Sequence, residues 1–103
     1  MTLCKYSVMD YTWDAKKNRS NFARHGIAFE DAVRIFNGFT LETVDDRYEY
    51  GEVRMYAVGI ASGMEIAVIY TDVSPAERRI ISARKAGRNE REAYWKIAGE
   101  TQH

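Results

Sequence analysis

The sequence has one cysteine, one proline and no long run of apolar residues. Cys4 has no second cysteine with which to form an internal disulfide and no metal-ligand partners at a recognisable spacing, which argues against a secreted disulfide scaffold and a zinc finger. The longest apolar stretches, such as residues 66–70, are far shorter than the roughly 20 residues of a membrane-spanning helix. The N-terminus lacks the apolar stretch of a signal peptide. We therefore expect a cytoplasmic protein with no membrane contact.

The length of 103 residues and the hydrophobic content of 46% suit one ordinary domain with one core. The chain contains no internal repeat and no low-complexity run, and its scattered glycines and its one proline, Pro75, form no linker. We predict a single domain over residues 1–103, with its core elements in residues 11–98.

A formal net charge of zero argues against a protein that is basic over its whole surface. The charges are nevertheless divided along the chain. Residues 39–77 contain two basic and eight acidic residues, whereas residues 78–103 contain seven basic and three acidic ones. Such a division can present a basic face to one partner and an acidic face to another, with a solvated surface as the alternative interpretation.

Two short helices are predicted near the N-terminus, after a β-prone segment at residues 11–13. Asp14 can accept hydrogen bonds from the free amides of a first helical turn. That helix would cover residues 15–25 and end at Gly26, which tolerates the left-handed conformation that closes many helices. Apolar residues at positions 29, 32, 33 and 36 have helical spacing and predict a second amphipathic helix, which ends at residues 37–38.

Four strands are predicted next from β-branched and aromatic residues, over residues 40–44, 53–61, 66–71 and 79–83. Ser62-Gly63 would form a two-residue hairpin turn, and residues 72–77 would link the third strand to the fourth. The third strand is apolar on both faces and should be a central strand that is covered on both sides or faces a functional groove.

A last helix is predicted over residues 90–98, with Tyr94 packed against the sheet. The element order is therefore β-α-α-β-β-β-β-α. It indicates an α+β fold with a small antiparallel sheet, two N-terminal helices and one C-terminal helix.

The most distinctive segment is the basic junction between the last strand and the last helix, residues 80–91. Arg84 and Lys85 would point to opposite faces of a regular strand, unless the chain turns there and brings both together with Arg88 and Arg91. Guanidinium groups bind phosphate oxygens in a bidentate way, so such a cluster would suit a phosphate. A solvated strand end is the alternative. Regular alternation divides the strand into two sets: Ile80, Ser82 and Arg84 on one face, and Ile81, Ala83 and Lys85 on the other.

Four pieces of sequence, in order, carry a resemblance to a known family. They are Trp13-Asp14-Ala15-Lys16-Lys17-Asn18; Asn21 with Arg24-His25-Gly26 and Phe29-Glu30-Asp31-Ala32; Tyr50-Gly51-Glu52-Val53-Arg54; and Ile80-Ile81-Ser82-Ala83-Arg84-Lys85-Ala86 with Glu90-Arg91 and Tyr94. The chain resembles the BrnT family, toxins of type II toxin–antitoxin modules that are similar in fold to the RelE ribonucleases. One departure is Gly87, where the family often has a hydroxyl residue that caps the last helix, so this helix is expected to start later or to fray.

The resemblance implies an endoribonuclease that cleaves messenger RNA and needs no metal or other cofactor, with the RNA 2′-hydroxyl attacking the adjacent phosphate. Such a reaction needs a base, cations for the phosphate and an acid. Arg84 and Lys85 are the first candidates for the phosphate site. Arg54 is the next, with a surface pair to a glutamate as the alternative. Arg79, Arg88 and Arg91 are predicted to bind RNA.

Proton transfer has three candidates: His25, Glu52 and Tyr94. Only His25 normally titrates near neutral pH, so it joins the predicted catalytic set. Its alternative role is to complement the dipole of its helix. His25 and His103 form no metal-ligand set with Cys4, and no metal is predicted.

The resemblance also implies a BrnA-like antitoxin with a DNA-binding domain. The toxin would then contact operator DNA only through the antitoxin complex. A non-catalytic interaction module of the same fold is the alternative function. An independent DNA-binding domain is disfavoured, because neither N-terminal helix carries a dense basic face.

Overall fold

A computed structural model describes residues 9–46 and 51–101, so Cys4 and His103 lie outside the described residues. The described residues form one five-stranded sheet with the strand order β1-β5-β4-β3-β2. None of their helices is long and apolar enough to cross a membrane. The strands are β1 (Asp10–Thr12), β2 (Leu41–Val44), β3 (Met55–Ala61), β4 (Met64–Ser74) and β5 (Glu77–Lys85). The helices are α1 (Ala15–His25), α2 (Phe29–Ala32) with a 3-10 helix (Val33–Asn37) directly after it, and α3 (Arg88–Thr101).

The predicted α+β fold and its element order are confirmed. Strands β2 to β5 pair in antiparallel order, and β1 adds to the β5 edge in parallel. Because β4 lies in the middle of the sheet and helices cover both of its faces, Ala67 and Val68 are both buried despite pointing in opposite directions.

The first turn of the β3–β4–β5 meander confirms the sequence prediction, and the second is tighter than predicted. Ser62 and Gly63 have φ values of 53° and 75°, which is the positive-φ pair of a two-residue hairpin. The prediction that residues 72–77 form a link is wrong, because the β4–β5 ladder continues to the pair Ser74 and Glu77. The ion pair of Arg78 with Asp72, with Nε and Oδ1 2.8 Å apart, lies within this extension.

The predicted second helix is α-helical for only one turn and then narrows to a 3-10 helix. This 3-10 segment lies directly on β3, where Ile35 approaches Gly59. A Cβ added at Gly59 would lie 2.8 Å from the Cβ of Ile35, so only glycine permits this approach. The 3-10 helix thus lies where the chain packs closely on the sheet. Apolar periodicity predicts a helix here but does not distinguish an α-helix from a 3-10 helix.

Helix α1 has the predicted bounds because both of its ends are capped. The Asp14 carboxylate accepts hydrogen bonds from the amides of Lys16 and Lys17 at 2.9 and 3.0 Å, and the Lys17 bond is the main cause of the lowered pKa of Asp14. Gly26 closes the helix in the left-handed conformation with φ 73°.

Asn21 is the buried residue of α1, and it joins the helix to the sheet. Strand β1 ends at the pair Thr12 and Arg79, so α1 rather than another strand lies along the rest of the β5 edge. The Asn21 amide donates to the carbonyls of Ala83 (2.8 Å) and Ile27 (3.0 Å), and its oxygen accepts from the Ala83 amide (3.2 Å). The Asn21 side chain therefore makes the hydrogen bonds to the Ala83 backbone that a neighbouring strand would otherwise make.

The two faces of the sheet carry separate cores. One face packs against α2 and the 3-10 helix through Phe29, Ala32 and Ile35. Helix α3 packs on the other face, where Tyr94 and Ala98 contact the sheet. The packing of Tyr94 against the sheet is confirmed.

A bulge in β5 changes which of its side chains share a face. Ser82 pairs with Ile69, and Ile80 pairs with Tyr70, which leaves Ile81 as an extra residue. The prediction that Ile80 shares a face with Ser82 and Arg84 is therefore wrong, and Ile80 joins Ala83 in the core beneath α2.

Tyr70 lies at the centre of a polar and aromatic cluster on the α2 side. Its ring is 4.1 Å from the Arg78 guanidinium carbon and 5.3 Å from the Phe36 ring, and its hydroxyl donates to the Glu42 carboxylate. Burial, and then the hydrogen bond to Glu42, raises the pKa of the Tyr70 hydroxyl above its ordinary value.

We expect Asn21→Ala to lower the free energy of unfolding by about 2–4 kcal/mol, because it removes three hydrogen bonds and leaves backbone groups of Ala83 unpaired. Arg19→Ala, at an exposed position on the same helix, is the control and should change stability by less than about 0.5 kcal/mol. Urea denaturation measures both. An equal effect of the two substitutions would contradict the role of Asn21.

Tyr70→Phe tests the buried hydroxyl through pH. The pKa of the Tyr70 hydroxyl is raised on folding. Its contribution to the free energy of unfolding is therefore complete below the ordinary tyrosine pKa of about 10 and is lost as pH rises through the higher pKa of the folded state. At neutral pH the variant should be less stable by about 1–3 kcal/mol. From about pH 9 to 11 the wild type should lose stability more steeply than the variant. Parallel pH profiles would show that Tyr70 ionises normally.

Candidate nucleic-acid interface

Helix α3 covers only part of its face of the sheet, near Val58 and Ala67. The uncovered part of that face is called the open face here and is defined by Arg54, Tyr56, Ser82 and Arg84. The ladder places Arg84 opposite Ala67, Ser82 opposite Ile69, and Arg79 opposite Thr71. Tyr56 also lies opposite Ile69, and Arg54 precedes it by two residues, so strand alternation places both on this face.

Arg84 is a cation of the open face that two other side chains hold in place. Its two terminal nitrogens contact the two Glu90 oxygens at 2.9 and 2.8 Å, in a bidentate pair. One of these nitrogens lies 3.4 Å from the Tyr56 hydroxyl, and the guanidinium carbon is 6.0 Å from the Tyr56 ring centre. The Arg84 side chain remains 41% exposed, so an incoming anion can reach it.

Glu90 also holds the start of α3. Its Oε1 accepts a hydrogen bond from the Gly87 amide at 2.6 Å, and the Arg91 amide donates to the Gly87 carbonyl at 2.9 Å. This is one half of a capping box, in which the third helical residue reaches back to the cap. The expectation that α3 starts late for want of a capping hydroxyl is wrong, because Glu90 supports a helix that begins at Arg88.

The other cations of the basic junction do not gather around Arg84. Lys85 lies opposite Ile66 on the α2 side of the sheet, where it is exposed. Arg88 pairs with Glu92 on the surface of α3, and Arg91 donates to the Ala86 carbonyl at 3.0 Å. Strand alternation therefore separates Arg84 from Lys85, and no turn reunites them.

Arg54 lies one residue before β3 and continues the ladder, since its carbonyl accepts a hydrogen bond from the Asp45 amide at 2.7 Å. Its Nε is 3.0 Å from a Glu52 oxygen. This is the glutamate pair predicted from the sequence as the alternative interpretation of Arg54. The pair lies at the open face, to which Arg54 belongs.

Arg79 and His25 line two neighbouring cavities, which share Lys17 and Ile81. Arg79 is exposed at a cavity of about 400 Å³ between β1, β5 and the first turn of α1. His25 lines a cavity of about 210 Å³ with Lys17, Arg24 and Ser82. Within the described residues, no group of three or more histidine, cysteine or acidic side chains could hold a metal ion.

Two site residues were missed from the sequence, Tyr56 and Glu90. Tyr56 follows Arg54 at strand spacing, and Glu90 stands three residues after Gly87, the spacing of a capping box. Both signals are local, but neither indicates that the two side chains meet at Arg84.

Comparison with known proteins identifies the family of this fold. Residues 13–90 match the family model described as the ribonuclease toxin BrnT of type II toxin–antitoxin systems. The chain belongs to the BrnT family. The matched range includes α1, the open face, Arg84 and Glu90.

A solved structure of the BrnT family supports the assignment. The chain is similar to the 1.1 Å crystal structure of the Brucella abortus ribonuclease toxin BrnT, with a TM-score of 0.60 and 30% sequence identity. The alignment covers 79% of this chain and 100% of that one. The search of curated proteins found no match.

Glu90→Gln should lower the free energy of unfolding by about 1–2 kcal/mol, because the substitution removes the negative charge that Arg84 and the Gly87 amide share. Glu92→Gln is the matched control on the same helix. It breaks only an exposed pair with Arg88, so a change below about 0.5 kcal/mol is expected. Chemical denaturation of both variants checks this. The interpretation of Glu90 fails if the two lose equal stability.

Proposed function

We propose that this chain is a toxin of a type II toxin–antitoxin module that cleaves messenger RNA as an endoribonuclease, without a metal, and so stops translation in the cytoplasm. Membership of a family of ribonuclease toxins supports the proposal. The observation that carries it is the exposed, bidentate Arg84 on the open face, within the range that matches the family.

Arg84 is proposed to hold the scissile phosphate. A phosphate offers two oxygens in the same geometry as the Glu90 carboxylate, so RNA can replace Glu90 in the bidentate pair. The guanidinium would then stabilise the charge that develops on phosphorus. Tyr56, next to Arg84, provides a ring on which a base can stack.

The proposed reaction is an internal transfer at phosphorus. The 2′-oxygen forms a bond to phosphorus, and its proton passes to a base. The bond from phosphorus to the 5′-oxygen breaks, and an acid donates a proton to that oxygen. The products are a 2′,3′-cyclic phosphate and a 5′-hydroxyl. His25 stays the first candidate for proton transfer, although it lines a different cavity from the one beside Arg79.

The remaining cations are proposed to act on the RNA backbone. Arg54 would serve as a second phosphate ligand once RNA competes with Glu52 for it. Lys85 lies on the opposite face, so we assign it to a neighbouring phosphate rather than the one that Arg84 holds. Arg88 and Arg91, exposed at the start of α3, would neutralise further phosphates.

The proposed partner is a BrnA-like antitoxin that binds DNA. The toxin would inhibit growth when free and reach operator DNA only within the antitoxin complex. The division of charge along the chain favours such a partner, since the acidic segment and the basic junction can face different molecules.

Arg84→Ala should abolish growth inhibition and lower the rate of RNA cleavage by about 10²–10³-fold, because a preorganised charge at the phosphate is lost. Lys96→Ala, which removes an exposed cation of α3, is the control and should leave both unchanged. The measurements are growth after induction and cleavage of an unstructured RNA in EDTA. An RNA without 2′-hydroxyls should remain intact.

Three results would contradict the proposal. Full toxicity of Arg84→Ala would overturn the assigned site, and loss of cleavage in EDTA would overturn the metal-free mechanism. Wild-type protein that leaves RNA intact, yet binds tightly to the protein encoded beside it, would favour the non-catalytic interaction module.

A further inference from the structure

We propose that the cavity beside Arg79 is a second RNA subsite, which binds a nucleotide distant from the cleaved phosphate. This inference rests on the proposed ribonuclease function and adds a site to it. The cavity has a volume of about 400 Å³ and is lined in part by Thr12, Trp13, Lys17, Glu77 and Arg79. Its volume is within the range of about 300–1,000 Å³ of small-molecule sites.

The two cations of this cavity lack partners within the described residues. Neither the Lys17 ammonium nor the Arg79 guanidinium makes an ion pair or a side-chain hydrogen bond there, and both residues are exposed. The neighbouring arginines differ, because Arg78 pairs with Asp72 and Arg84 pairs with Glu90. The Asp14 and Glu77 carboxylates also line the cavity, but neither forms an ion pair with Lys17 or Arg79, so both cations can bind an external anion.

The rest of the lining matches the other parts of a nucleotide. Glu77 accepts a hydrogen bond from the Thr12 hydroxyl through one oxygen, at 2.9 Å, and its other oxygen can accept from a base amino group. Trp13 is half-buried and packs edge-on against Phe29, with ring centres 6.1 Å apart, so its indole has a fixed orientation at the wall. Aromatic walls, cations and an acceptor together are typical of single-stranded RNA sites.

These features favour RNA over an acidic protein segment. The Glu77 carboxylate lines the cavity and can accept hydrogen bonds from the amino groups of a base, whereas a run of carboxylates offers it no such donor. A nucleotide instead brings one anionic phosphate for Lys17 and Arg79, and neutral donors for the carboxylate of Glu77.

The cavity adjoins the open face. Arg79 and Arg84 lie on the same side of β5, five residues apart along the strand. Because a strand rises by about 3.3 Å per residue, the two positions are roughly 15 Å apart along the strand. An RNA held at Arg84 can therefore continue to the cavity through additional nucleotides.

The test uses the full chain and an unstructured RNA of twelve nucleotides. Binding is measured by fluorescence anisotropy with a 2′-O-methyl version, which cannot be cleaved, over a range of salt concentrations. Lys17→Ala and Arg79→Ala should each weaken binding by about tenfold and reduce the salt slope by about 0.7, the value for one lost phosphate contact on a single strand. Lys16→Ala, at an exposed position beside the cavity lining, should match the wild type.

Cleavage kinetics separate this inference from the ribonuclease function. On the twelve-nucleotide RNA the Arg79→Ala variant should raise KM and leave kcat unchanged, and on a dinucleotide it should cleave like the wild type. Wild-type cleavage with unaltered binding by both variants would overturn the subsite and leave the ribonuclease function standing. Absence of wild-type cleavage would overturn the function, while weaker RNA binding by both variants would still support the cavity as an RNA site. Variants that lose affinity for the antitoxin but not for RNA would show a protein-docking site and overturn the inference.

Discussion

The hydrogen bonds of Asn21 connect helix α1 to strand β5 of the sheet. Strand β1 is only three residues long, so it leaves part of the β5 edge without a strand neighbour. Asn21 satisfies the amide and carbonyl of Ala83 at that edge and also binds the Ile27 carbonyl. Because the three bonds converge on one side chain, α1 takes a defined position against β5. The relative positions of Lys17, on α1, and Arg79, on β5, depend on this contact.

Three basic residues of β5 and α3 are neutralised by ion pairs within the chain. Glu90 holds Arg84, Glu92 holds Arg88, and Asp72 holds Arg78. Such pairing offsets part of the positive charge of these two elements. The Arg84 pair has a further consequence, since Glu90 also supports the first turn of α3. An anion that displaces Glu90 would therefore change the start of the helix as well as the state of Arg84.

The predictions from sequence were most accurate where the signal was local. The bounds of α1 follow from Asp14 and Gly26, which act within one turn of the helix, and the Ser62-Gly63 turn follows from its own backbone preferences. Predictions were wrong where a distant partner decides the outcome. The β4–β5 ladder includes most of residues 72–77, which were predicted to form a link. The bulge at Ile81 places Ile80 on the other face of the sheet. For the candidate site, alternation indicated that Arg84 and Lys85 diverge, but it could not supply the partners Tyr56 and Glu90, which come from another strand and from α3.

The sequence by itself determined the family, the fold class, the order of elements and the identity of the cations, because capping residues, periodicity and charge are properties of short segments. The tertiary structure decided which of those cations remain available. Ion pairing depends on distances of a few ångströms between side chains, and for the Arg78 and Arg84 pairs, which join different elements, those distances exist only after the elements have packed. Arg84 thus meets Glu90 and Tyr56 on one face of β5, while Arg79 meets Lys17 of α1 at the cavity near β1.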